Sequence, residues 1–139
     1  MPPIRDRFAM ISGMDPALMP GHFHFCTLSD PALIAAAMTD ALATFHEAEG
    51  LSLILPEVAA RTLGLPLVGP MRQITLQVLS ALDGVGLTAA VASVLADHGI
   101  ACNMVAAFHH DHAFVPAADA ERAVGLLRGL AVQTAAGDV

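Results

Sequence analysis

The sequence predicts an α+β fold built from two similar halves, and three observations carry this prediction. The chain of 139 residues is 55% hydrophobic and 14% charged, a balance typical of chains that bury a core and opposite to that of disordered chains. Apolar and polar residues alternate with the two-residue period of strands in some segments and recur with helical spacing in others. The resulting order, strand, helix, strand, strand and helix, occurs once in each half.

Residues 1–20 contain four prolines and show no sustained period, which predicts an irregular N-terminal arm. The first half, residues 21–70, follows this arm. It contains an alternating run, an Ala-rich run that Ser29 or Asp30 can cap, and a turn at Gly50. These signals predict strands at 22–28, 41–46 and 51–55 and helices at 31–38 and 56–63.

The second half, residues 71–139, begins after a stretch rich in proline and glycine at 65–70. Its central feature is an amphipathic helix after a Gly-containing loop, because apolar residues fall at helical spacing at Leu87, Ala90, Val91, Val94 and Leu95. Strands are predicted at 72–80, 100–108 and 113–115, and a last helix is predicted from Asp119 onward with its side chain as the cap.

The ends of the two halves are also similar in sequence. Residues 53–65 contain Leu-Pro followed by Ala-Ala-Arg-Thr-Leu-Gly-Leu, and residues 114–126 contain Val-Pro followed by Ala-Glu-Arg-Ala-Val-Gly-Leu. This similarity and the shared order of elements predict an internal duplication.

The charge of the chain argues against several classes of partner. The formal net charge is −7, with 13 acidic residues against 6 basic ones, whereas a nucleic-acid-binding protein presents a basic surface. No apolar run approaches the roughly 20 residues that span a bilayer, and the N-terminus lacks the apolar core of a secretory signal. We therefore expect no nucleic acid, no membrane and a cytoplasmic location.

Three stretches resemble the ACT domain: Ile74-Thr75-Leu76, the run Asp83-Gly84-Val85-Gly86-Leu87-Thr88 with its helix, and Gly99-Ile100-Ala101-Cys102-Asn103. Together with residues 44–51 and 108–116, they make the chain similar to a small bacterial group of stand-alone proteins with two tandem ACT-like units. The resemblance implies a duplicated ferredoxin-like βαββαβ fold, with antiparallel sheets and helices on one face. It also implies a regulatory, non-catalytic module that binds an amino acid or a related metabolite at a subunit or subdomain interface.

The loop before the second-half helix gives this implication a physical basis. Two glycines let a ligand approach the backbone closely, and the first amides of the helix can bind a carboxylate. The candidate ligand-binding residues are Gly84, Val85, Gly86, Leu87, Thr88 and, from the neighbouring strand, Asn103. The alternative interpretation is that the glycines only form a tight turn between a strand and a helix.

Three further groups of residues have alternative interpretations. Glu47 and Glu49 lie two residues apart and could contact a ligand ammonium or a partner subdomain, or simply occupy a solvated turn. In the run His109-His110-Asp111-His112, only His110 and His112 would share a strand face, whereas a closed zinc site needs four ligands. The alternative is that Asp111 lies at a hairpin tip, where it accepts local backbone hydrogen bonds among solvated histidines. His22 and His24 also share a strand face, and its exposure to solvent competes with a ligand role. We therefore expect neither a metal nor a cofactor.

Three classes of function follow, in order of preference. The first is a small-molecule-binding regulatory protein, which we expect to form a homodimer because exposed sheet edges favour association. The second is an oligomerisation or interaction module without a ligand. The third is a metal-binding protein or an enzyme, for which the sequence offers no catalytic motif.

Overall fold

The chain divides into two units in the computed structural model, which describes residues 2–137. One unit comprises residues 21–71, and the other combines residues 2–20 with residues 72–137. Along the chain the elements are α1 (Arg7–Ser12), β1 (Pro16–Leu18), β2 (Phe23–Leu28), α2 (Pro31–Met38), β3 (Ala43–Glu47), β4 (Gly50–Pro56), α3 (Glu57–Thr62), β5 (Met71–Leu76), α4 (Leu87–Asp97), β6 (Asn103–Ala106), β7 (Asp111–Pro116) and α5 (Ala120–Ala135), with a single 3-10 turn before α5.

The unit of residues 21–71 is an antiparallel sheet covered by two helices. Strand β4 lies between β3 and β2, with Ile54 opposite both Ala43 and Phe25, and the first residue of β5, Met71, pairs with Phe23 on the other edge of β2. The core lies between one face of this sheet and helices α2 and α3. Its buried members are Leu28, Ala37, Leu51, Leu53, Leu55 and Ala60. The sequence-based prediction of a strand, a helix, a hairpin and a second helix is confirmed for this unit.

The other unit has a sheet in the order β1-β5-β7-β6. Helices α1, α4 and α5 bury apolar side chains against one face of this sheet. On α4 the fully covered residues are Leu87, Val91 and Leu95, each about 3% exposed or less, and burial of each stabilises the fold by roughly 1.5–3 kcal/mol. Both units therefore show the ferredoxin-like arrangement, and the fold is duplicated.

The segment predicted as an irregular arm, residues 1–20, holds a helix and a strand within residues 2–20. Asp6 caps α1 by accepting a hydrogen bond from the Ala9 amide at 2.8 Å. Met10, Ile11 and Met14 are buried in the same core as α4 and α5. The local signals were misleading here, because burial by distant elements outweighs a short, proline-interrupted pattern.

Several predicted details of the elements differ from the structure. The strand predicted at 100–108 is confined to Asn103–Ala106, and the strand predicted at 113–115 extends over Asp111–Pro116. Strand β5 ends at Leu76 and not at residue 80, because the amides of Gln77 and Val78 donate to the Met14 carbonyl. The Asp119 side chain makes no capping bond to α5, and it lies 3.6 Å from the Arg122 guanidinium.

The internal duplication is visible in burial as well as in sequence. Residues 53–60 and residues 113–120 show the same succession of buried, half-buried and exposed positions, and in both cases a proline ends the strand and a helical turn follows.

Candidate functional site

The candidate site lies at the N-terminus of α4, where a tight turn leads into the helix. The Gly84 amide donates to the Ala81 carbonyl at 2.9 Å, and Gly86 occupies the N-cap position with φ +111° and no side chain to cap the helix. The amides of the first helical turn have no intrahelical acceptor, and the positive end of the helix dipole lies there. The turn thus presents hydrogen-bond donors suited to an anionic group.

A cavity of about 140 Å³ opens at this helix N-terminus. Its polar side chains are Ser80, Thr88 and Asp111, and the rest of its wall is glycine, alanine and larger apolar residues. The full lining is Met10, Ser80, Ala81, Leu82, Gly84, Gly86, Leu87, Thr88, Ala106, Ala107 and Asp111.

The N-terminal segment supplies part of the cavity wall. The Ile4 amide donates to the Leu79 carbonyl at 2.7 Å, and the Ala81 amide donates to the Ile4 carbonyl at 2.9 Å, so this segment brackets Ser80. Met10 lines the cavity itself, and its sulfur would lie 3.0 Å from a Cβ built on Gly84. A larger residue at position 84 would therefore displace Met10.

Four of the six residues predicted to bind a ligand come together at this cavity: Gly84, Gly86, Leu87 and Thr88. Val85 is not part of the lining, and its side chain is exposed. Asn103 is not part of the lining either. It pairs with Phe114 at the start of β6, whereas the lining residue Ala106 is at the end of that strand, about 10 Å away.

The structure adds Asp111, which sequence reasoning had placed at a hairpin tip. Asp111 is the first residue of β7 and pairs with Ala106, which brings its half-buried carboxylate to the cavity wall. Ser80 Oγ donates to Asp111 Oδ2 at 3.3 Å. No local sequence pattern predicts that Asp111 lies at the cavity, because its place there depends on the contact between the β6–β7 hairpin and the turn before α4.

Glu47 is the last residue of β3 and Glu49 lies in the turn that follows, in the unit of residues 21–71, and both are exposed. Glu47 accepts a hydrogen bond from Ser52 Oγ. Neither glutamate belongs to the lining of the cavity.

The histidines do not assemble a metal site within residues 2–137, where no group of three or more His, Cys, Asp or Glu side chains could hold an ion. His109 and His110 occupy the turn between β6 and β7, and His112 lies in β7, where its Nδ1 is 3.1 Å from Gln73 Nε2 and 3.0 Å from Thr75 Oγ1. These contacts connect His112 of β7 to two side chains of β5, which is a structural role.

His24 is buried, which excludes the alternative of a solvent-exposed strand face at this position. Its Nε2 donates to Glu57 Oε1 at 2.9 Å, since the carboxylate can only accept, and its ring is 1% exposed. The hydrogen bond from His24 lowers the pKa of Glu57 below its ordinary value. The pair ties α3 to β2, which is a structural role.

The fold and this cavity define a protein with two ferredoxin-like units and one small polar cavity at a helix N-terminus. The chain belongs to the ACT domain family: family profiles described as ACT domain match residues 3–72 and residues 68–129. Among functionally curated proteins, no sequence matches this chain. None of the helices in residues 2–137 has the length and apolar character needed to cross a membrane.

Solved structures show the same fold. A Vibrio cholerae protein of unknown function, described as a possible transport protein, is 38% identical over 89% of this chain and 94% of its own, with a TM-score of 0.78. A protein from Agrobacterium tumefaciens is 23% identical over 84% of this chain and 87% of its own, with a TM-score of 0.65. The ligand-free regulatory subunit of aspartate kinase from Thermus thermophilus is 10% identical over 83% of this chain and 95% of its own, with a TM-score of 0.61.

Proposed function

We propose that this protein is a regulatory, non-catalytic ACT-domain protein that binds a small metabolite, an amino acid or a related carboxylate, in the cavity at the N-terminus of α4. The observation that carries the proposal is that four residues chosen from sequence for ligand binding line one cavity in the folded chain. The cavity beside the glycines supports ligand binding over the alternative that they only form a turn.

The chemistry of the cavity suits a carboxylate. Backbone amides at a helix N-terminus bind anions through hydrogen bonds and the helix dipole, and a hydrogen bond to a charged group contributes about 1.5–3 kcal/mol. Thr88, in the first turn of α4, adds a hydroxyl to the same wall. No side chain fills the N-cap position, because Gly86 occupies it.

The size of the cavity limits the ligand. A volume of about 140 Å³ holds only a few water molecules of roughly 30 Å³ each, and it is smaller than the roughly 300–1,000 Å³ of pockets for drug-sized molecules. A nucleotide or a large cofactor does not fit, whereas a small amino acid does. The likeness in fold to an aspartate kinase regulatory subunit supports a regulatory role for such a ligand.

The test is isothermal titration calorimetry of the protein with each of the standard amino acids. We expect saturable heat with at least one small amino acid, and loss of that heat in Ala107→Leu, because Ala107 lines the cavity at an exposed loop position. Ala101→Leu is the matched control, since Ala101 is also exposed in the same unit and does not line the cavity. No heat with any amino acid, or equal heat in both variants, would contradict the proposal.

We also propose that the protein forms a homodimer. Two phenylalanines of the unit of residues 21–71 are largely exposed, Phe25 at 51% and Phe45 at 72%. Phe45 lies on β3, which pairs with β4 alone among the strands described in that unit. Exposed aromatic side chains and free strand edges both favour association with a second chain.

A further inference from the structure

Asp111 is the one charged residue among the eleven that line the cavity. The remaining side chains are either small and apolar, larger and apolar, or the hydroxyls of Ser80 and Thr88. A charged group that enters the cavity therefore meets the amide end of α4 and one charged side chain of the cavity wall, the Asp111 carboxylate.

The Asp111 carboxylate has hydrogen-bonding capacity left over. Ser80 Oγ donates to it at 3.3 Å, whereas an ionised carboxylate can accept about four hydrogen bonds. Within residues 2–137, the ion pairs closer than 4 Å involve Asp83, Glu57 and Asp119 as the acidic partners and do not include Asp111. The carboxylate thus faces the cavity without a cationic partner at ion-pair distance.

The carboxylate is also held in place. Asp111 pairs with Ala106 across the β6–β7 hairpin, and the Ala107 amide donates to the His110 carbonyl at 3.0 Å to close the turn. A charged acceptor on a fixed strand end needs little reorganisation on binding, which favours affinity.

We propose that Asp111 is the specificity-determining residue of the cavity and binds the ammonium group of the ligand. This proposal rests on the proposed function. The amides of α4 take the ligand carboxylate and Asp111 takes the ammonium, so the site selects zwitterions. The apolar wall of Met10, Leu82 and Leu87 and the small volume require a short, uncharged side chain.

The ligand class is therefore a small neutral α-amino acid. A carboxylic acid that lacks the amino group would place its charge near Asp111 and leave Asp111 unpaired, which is unfavourable in a partly enclosed site. A long basic side chain exceeds the small volume of the cavity. Its charge would also have no carboxylate to pair with, because the α-amino group already occupies Asp111.

The experiment compares two ligand series on the wild-type protein and on Asp111→Asn. The amino acids are glycine, L-alanine and L-serine, and the matched acids without the amino group are acetate, propionate and 3-hydroxypropionate. We expect the wild type to prefer an amino acid over its matched acid by about ten- to hundredfold, the effect of one charge-assisted hydrogen bond. Asp111→Asn should remove most of this preference, and Asp97→Asn, which removes a charge at the far end of α4, should keep it.

The outcomes separate this inference from the proposed function. Asp111 does not bind the ammonium group if the wild type binds the acids and the amino acids with equal affinity, or if Asp111→Asn keeps the preference. The cavity would still bind carboxylates in that case. If the wild type binds neither series, this inference fails, whereas the proposed function fails only if none of the standard amino acids binds. The wild-type comparison needs no variant, so the inference can be contradicted even if Asp111→Asn does not fold.

Discussion

Gly86 shows how one residue makes the site available. Its φ of +111° is strained for any residue with a side chain, and a Cβ built there would lie 2.4 Å from Arg7 Cδ. A polar residue at this N-cap would otherwise bond the first amides of α4 itself. The glycine leaves those amides to the cavity, and its role could be predicted from the sequence because turns and caps are local.

Asp111 and Asn103 show that the sequence alone did not predict which strand residues lie at the cavity. Asn103 was expected at the site because it lies on the neighbouring strand, yet it is at the end of β6 away from the cavity. Asp111 was taken for a turn residue, yet it lies at the cavity. Which end of a strand meets a helix depends on the pairing of the whole sheet, and no signal within a few residues reports that.

His112 makes stability depend on pH in a predictable direction. Burial lowers the pKa of His112 below its ordinary value, and the charge of His110 lowers it further, while Asp111 raises it. The unfolded chain therefore takes up this proton first as the pH falls. The stability linked to His112 is complete above the ordinary histidine pKa of about 6.5 and is lost as the pH falls through the lowered value.

The test replaces His112 with Asn, whose oxygen can accept the Gln73 hydrogen bond in place of Nδ1. Between about pH 7.5 and about pH 5.5, which bracket the ordinary histidine pKa, the urea midpoint of the wild type should fall by more than that of His112→Asn. His109→Asn, at an exposed turn position, is the control and should behave like the wild type. An equal fall in His112→Asn and the wild type would contradict this account.

At the scale of elements, the hydrophobic period located α4, because this helix buries one face of its own short segment. The turn signal at Gly50 located the β3–β4 hairpin. The hydrophobic period did not predict the structure of segments that are stabilised by distant parts of the chain. In α1, Met10 and Ile11 are buried against elements more than 60 residues away in sequence. In β5, the predicted continuation after Leu76 instead bonds to the backbone of Met14.

Two glycines inside helix α5 allow its helical conformation to be tested by substitution. Gly125 and Gly129 lie within α5, and a Cβ added at either position meets nothing within 4 Å. Because glycine in a helix interior costs about 0.5–1 kcal/mol relative to alanine, Gly125→Ala should raise the free energy of unfolding by about that amount in urea denaturation.

The matched control is Gly99→Ala, which also meets open space but has φ +71°. It should lower the free energy of unfolding, since the left-handed conformation is strained for alanine. A loss of stability in Gly125→Ala would mean that position 125 is not helical.

At the scale of the whole molecule, the duplication was predictable because the repeated strand-proline-helix pattern is local to each half. The sequence did not reveal which segments of the chain supply the strands of each sheet. The sheet of residues 72–137 is completed by β1 from the N-terminal segment, and this exchange connects residues about 60 positions apart. A boundary drawn from prolines and glycines marks a linker well, but it does not reveal which segments pair.

The proposed homodimer is tested by light scattering at micromolar concentration. We expect a particle of twice the 14.3 kDa mass of one chain. Phe45→Ser should shift the particle toward the monomer, and Val58→Ser, at a 77% exposed position on α3, should not. A wild-type particle of 14.3 kDa would contradict the homodimer, whereas a dimeric Phe45→Ser would contradict only the assigned surface.

The central claim is that a small amino acid binds at the N-terminus of α4, and amide chemical shifts measured by nuclear magnetic resonance during a titration with small neutral amino acids test it most directly. We predict saturable shift changes concentrated at the amides of residues 84–88 and at Ser80 and Asp111. Saturable changes confined to other residues, or no change with any amino acid, would contradict the claim.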